Sequence, residues 1–149
     1  MTVTKLLAYH GDPKIKRKYL ARVRAHRKAD ELVKGRYWES GKGCAVGCTV
    51  HSSSHAAYET ELGIPRELAR LEDQIFERLD NGASKAWPEA FLQAPRVGAD
   101  LSMVWPSFAL WLLSEAAAAR QAFWLSARDK LLQLMREAPI DRRTVARKA

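Results

Sequence analysis

Cysteine is scarce. Two in 149 residues cannot make a disulfide scaffold. No stretch alternates apolar and polar residues at a step of two, and no segment repeats, so neither a sheet architecture nor a repeat array is expected. Acidic residues are outnumbered, 17 against 25 Lys and Arg, for a net charge of +8. That balance argues against an acidic mimic of nucleic acid and leaves anionic partners open. The first ten residues lack a basic start followed by an apolar run, so no secretory leader is expected. The cytoplasm, where Cys44 and Cys48 stay reduced, is the expected setting. Long hydrophobic runs are absent but for residues 101–119, which carry the single charge Glu115. Pro106, Ser107 and four consecutive alanines weaken that run, so it reads as a buried core helix rather than a membrane span.

What is present suits one compact domain. Hydrophobic residues make up 47% of the chain, enough for a core without a staple. The spacing predicts an all-α bundle of four to six helices over residues 1–138, a glycine-rich irregular segment at about 35–52, and a basic tail at 139–149. The first helix is expected to start at Asp12 and Pro13, a cap followed by a residue suited to the first turn. Ile15, Tyr19, Val23, His26 and Val33 fall near one face, and Lys34-Gly35 supplies the stop. A short helix is expected from about Ser53 to Leu62, ended by Gly63. Another follows Pro65, with Leu68, Leu71, Ile75, Phe76 and Leu79 inside, Asp73 among the outward residues and Asn81-Gly82 as its end. A brief helix at about Ser84–Ala94 comes next. Asp100 opens the C-terminal helical region, which Pro106 should kink or restart with Ser107 as cap. Phe108, Ala127, Leu131 and Met135 are among its expected core residues.

Charge is polarised along the chain. Residues 1–36 hold eleven basic and three acidic side chains, whereas residues 37–95 hold five and nine. A basic helix fits an anionic macromolecule, either a nucleic acid or an acidic protein surface. Arg17, Lys18, Arg24, Arg27 and Lys28 are the candidate contacts, against the plainer reading of a solvated face. Zinc-finger spacing, basic-zipper heptads and a recognisable helix-turn-helix are all missing.

The other candidate is residues 41–61, which gather both cysteines and two of the four histidines. Cys44, Cys48, His51 and His55 are metal-ligand types at spacings of four, three and four, so zinc is the alternative to having no cofactor. One continuous helix cannot wrap four ligands around a tetrahedral ion, so the glycines would have to fold the cysteine pair back over the histidines. A lowered-pKa thiolate at Cys44 or Cys48 is a further reading. Against both stands the packing of small residues under a tight turn. His51, His55 and Glu59, four apart, would share one face if helical. No catalytic residue is assigned, and the balance leans away from an enzyme.

Three stretches, GKGCAVGC at 41–48, YETELGIP at 58–65 and YHGDP at 9–13, together resemble a group of small uncharacterised bacterial and phage-borne proteins. The resemblance reaches to about Leu113 and implies a bacterial or phage accessory role, without an activity, cofactor or catalytic residue. The expected function is therefore a small basic binding or regulatory protein. A homo-oligomer formed through Trp105, Trp111 and Trp124 of the C-terminal region is a further expected partnership.

Overall fold

A computed structural model describes residues 5–115 and 120–141. Among the described residues the chain is mostly helical with one small two-stranded sheet, compatible with an all-α bundle. Helix α1 spans Pro13–Lys28, and Asp12 caps it by accepting from the Lys14 N–H at 2.8 Å. Tyr19, Leu20 and Val23 form its buried stripe. The helix ends six residues before the expected stop at Lys34, because Asp30 turns left-handed (φ 56°). Beyond it the backbone pairs with Gly43 instead of with itself: Gly43 N–H donates to Glu31 at 3.1 Å and Val33 N–H to Gly43 at 2.9 Å. The apolar residues Leu32 and Val33 therefore lie in an extended segment, Leu32 buried and Val33 half-buried.

The segment expected to be irregular is ordered. Strands β1 (Trp38–Glu39) and β2 (Lys42–Gly43) pair antiparallel. They are joined by Ser40 and Gly41, both left-handed, as a two-residue hairpin needs. Helix α2, Ala45–Val50, follows and is wholly buried. Glycine is required here by contact. A Cβ on Gly47 would stand 1.4 Å from the Tyr37 carbonyl oxygen, and one on Gly43 would stand 1.9 Å from it.

His51 closes α2 in the left-handed conformation (φ 55°). The expected helix over Ser53–Leu62 is absent. Ser52 accepts from Ser54 N–H in a bend, and only Tyr58–Leu62 coils, as a wide π-type turn that ends at Gly63. Helix α3, Arg66–Arg78, buries Leu68, Ile75 and Phe76 as expected, but also Glu72 and Asp73. Asp73 was expected outside; it faces Tyr37, Cys44 and His55, groups that no local period reveals. Asn81-Gly82 opens helix α4, Asn81–Gln93, because the Asp80 carboxylate accepts from Ala83 N–H at 2.9 Å.

Helices α5 (Val104–Glu115) and α6 (Arg120–Glu137) pack on each other and on α3. Pro106 does not break α5, since it lies in the first turn, where a missing N–H forfeits no intrahelical bond. Phe108, Ala127, Leu131 and Met135 are buried. Asp100 N–H donates to Pro139 at 2.8 Å and Asp141 N–H to Gly98 at 3.2 Å, so the first residues of the expected tail are tied to the fold. The tail's Arg142, Arg143, Arg147 and Lys148 lie outside the described residues. Among those described, no helix is long and apolar enough to cross a membrane.

Candidate functional site

The four residues with metal-ligand chemistry are distributed among three surroundings. Cys48 is fully buried, its thiol facing the Gly43 carbonyl at 3.3 Å. Burial pushes that thiol up to about 12. Cys44 is also buried, and burial together with a hydrogen bond to Asp73 raises its thiol further. Neither is a ready thiolate at neutral pH, which corrects the nucleophile reading. His55 turns toward α3, with Nε2 3.6 Å from Asp73 Oδ2 and its ring edge-on to Tyr37. His51 points to α1. Among the described residues no three His, Cys, Asp or Glu side chains are arranged to hold a metal ion. The alternative of a zinc set is thus not assembled among the described residues, because the bends at residues 51–54 part the two histidines. Glu59 is separated as well, bound to the Arg66 guanidinium at 3.0 and 2.8 Å.

Under this segment lies a buried carboxyl. Tyr58 donates to Glu72 Oε2 at 2.5 Å, while Glu72 Oε1 has no hydrogen-bond partner. Burial raises the Glu72 pKa well above the usual carboxyl range, and Asp73 adds to the shift.

On the outer side, two histidines meet. His26, on α1, holds Glu31 Oε2 2.5 Å from its Nδ1, and its Nε2 lies 2.8 Å from His51 Nε2. The Trp38 ring stacks on His51 with centroids 4.3 Å apart and planes 12° from parallel. Partial burial, and then the Arg22 charge and the neighbouring His26, lower the His51 pKa. Sequence singled out His51 but for a metal set, and His26 only as an interfacial side chain. Glu31 and Trp38 were not singled out. Their proximity depends on where α1 stops and on the β1–β2 hairpin.

The five expected contact residues all lie on α1 and are exposed. They are not equivalent. Arg24 pairs with Glu89 of α4 at 2.7 Å and Arg27 with the same carboxylate at 3.4 Å. Lys16, on that side too, donates to the Gln93 and Pro95 carbonyls at 2.7 Å. Arg17, Lys18 and Lys28 face solvent with Lys14, and none of the four has an ion pair among the described residues. Lys18 lies over the Tyr19 ring at 5.1 Å. Across the helix, Arg22 donates to the Thr49 carbonyl at 2.8 Å, and Tyr19 donates to Glu61.

Comparison with family models, with curated proteins and with solved structures gives no match to this chain.

Proposed function

We propose that this is a small basic helical binding protein whose α1 engages the phosphate backbone of a nucleic acid, in a regulatory, accessory role in the cytoplasm of a bacterium or during phage growth. One observation carries the reading: α1 holds eight Lys and Arg and no acidic residue, and among the described residues only Arg24 and Arg27, on its α4 side, pair with a carboxylate. A helix of this length runs about 24 Å, and duplex DNA presents one negative charge per about 1.7 Å of axis, so several phosphates lie within reach of Lys14, Arg17, Lys18 and Lys28. Unpaired surface cations attract such a polyanion and release its counterions on contact. A second reading, self-association, has its own support: Leu110 and Leu113 of α5 are 69% and 80% exposed, and Trp105 is 40% exposed.

The test is a fluorescence-anisotropy titration of short RNA and DNA strands at several salt concentrations. Binding should weaken steeply with salt. Arg17→Glu, Lys18→Glu and Lys28→Glu together should abolish it while the far-ultraviolet spectrum stays helical. Binding indifferent to the reversals would remove α1 as the contact surface. Tighter association with polyglutamate than with either nucleic acid would reassign the partner to an acidic protein.

A further inference from the structure

The Glu31–His26–His51 chain has the connectivity of a proton relay. A carboxylate can only accept, so His26 donates from Nδ1 to Glu31, and in the singly protonated ring Nε2 is an acceptor. The proton between the two rings, whose nitrogens are 2.8 Å apart, then belongs to His51 Nε2. That leaves His51 Nδ1 as the open base on an exposed residue. When Nδ1 takes up a proton, the Nε2 proton can pass to His26, and the positive charge comes to rest against Glu31. This is the logic by which a carboxylate orients a catalytic histidine, extended by one imidazole.

Two further features hold the terminal ring in place. His51 sits in a left-handed backbone conformation that few non-glycine residues adopt, and Trp38 stacks on its face. The charges facing it are Arg22 and His26 from α1, Glu31 from the segment after α1, and Glu61 from the Tyr58–Leu62 turn. Lys18 and Arg22 lie two turns and one turn before His26, four residues apart, so this stripe of α1 leads from the cationic face to the relay.

We propose that His51 is the general base of an RNA-cleaving site and that its substrate is a strand lying along α1. The proposal rests on the nucleic-acid reading above. RNA suits a single base because it carries its own nucleophile beside each phosphate. His51 Nδ1 takes the proton of a ribose 2′-hydroxyl, and that oxygen forms a bond to the adjacent phosphorus. The bond from phosphorus to the 5′-oxygen breaks, the departing oxygen takes a proton from water, and His51 then releases its proton to solvent. The products are a 2′,3′-cyclic phosphate and a 5′-hydroxyl, with no net proton change. His51 is the catalytic residue; His26 and Glu31 are positioning residues.

The experiment uses a fluorescent single-stranded RNA and its 2′-deoxy counterpart, with anisotropy for binding and gel analysis for cleavage. Both strands should bind, and only the RNA should be cut, leaving cyclic-phosphate ends. His51→Asn, which tolerates the left-handed backbone, should slow cleavage at least about 100-fold at unchanged affinity. Glu31→Gln should also leave affinity unchanged and lower the rate. It should move the acid limb of the rate–pH profile to lower pH, because the carboxylate that favours the protonated relay is gone. RNA that is bound but left intact, or cut equally fast by His51→Asn, would overturn the relay's role and leave the binding reading standing. Failure of both strands to bind would overturn the α1 reading and this proposal with it.

Discussion

Two neighbours of helix α1, α4 and α2, are held in different ways. Toward α4, helix α1 uses long side chains: Arg24 and Arg27 on Glu89, and Lys16 on two carbonyl oxygens. Toward α2 it also uses side chains, Arg22 on the Thr49 carbonyl and His26 on His51, but α2 itself is pinned by a backbone contact with the hairpin. Gly43 and Gly47 let the Tyr37 carbonyl approach so closely that neither position has room for a Cβ. Side-chain ion pairs at a surface can be exchanged at small cost, whereas a backbone contact with no room for a methyl group cannot. Helix α2 is therefore the rigid neighbour, and it ends at His51, the partner of His26.

The largest effect should come from Gly47→Ala. A Cβ 1.4 Å from a backbone oxygen forces α2 or the hairpin to move, and the loss should reach about 3 kcal/mol or more in a denaturant titration. A loss under about half a kcal/mol would mean the α2 side is not rigid. A smaller effect is expected at Glu72, beneath α2. Its pKa is raised in the folded state above the ordinary 4.5, so the folded chain holds a proton that the unfolded chain releases. Stability from this group is full below about pH 4.5 and is lost as pH rises toward the folded value. Glu72→Gln should flatten that fall and stabilise the protein at neutral pH, as thermal melts across the pH range would show. An unchanged pH profile would mean that Glu72 is ionised in the fold. The smallest effect is expected from Glu89→Gln, which frees Arg24 and Arg27. Stability should change by less than about 1 kcal/mol, while affinity for a nucleic acid should rise.

The same contrast explains how much the sequence disclosed. Local signals were legible: the Asp12 cap and Pro13 start of α1, the α3 stripe of Leu68, Ile75 and Phe76, and Gly63 as a stop. Contacts between distant segments were not. The pairing of Glu31 and Val33 with Gly43 ended α1 early, although its apolar period ran on. Strands of two residues are too short to display a period, and glycines that serve close approach read as loop. At the candidate site, the chemistry of His51 was visible but its partners were not. Likewise, nothing near Arg24 and Arg27 in the chain shows that Glu89 neutralises both. A count of charges measures the cations a helix carries, not those that remain available.

That availability is the central claim, and the salt dependence of nucleic-acid binding tests it most directly. The slope of log affinity against log salt should be compared for two variants, Arg17→Ala with Lys18→Ala and Lys28→Ala, and Arg24→Ala with Arg27→Ala. Each lost phosphate contact removes about 0.9 from the slope on duplex DNA. The first variant should therefore lose about 0.9 for each of its three cations that holds a phosphate, and the second should keep a slope close to that of the unaltered protein. Equal losses per residue in the two variants, or no loss in the first, would contradict it.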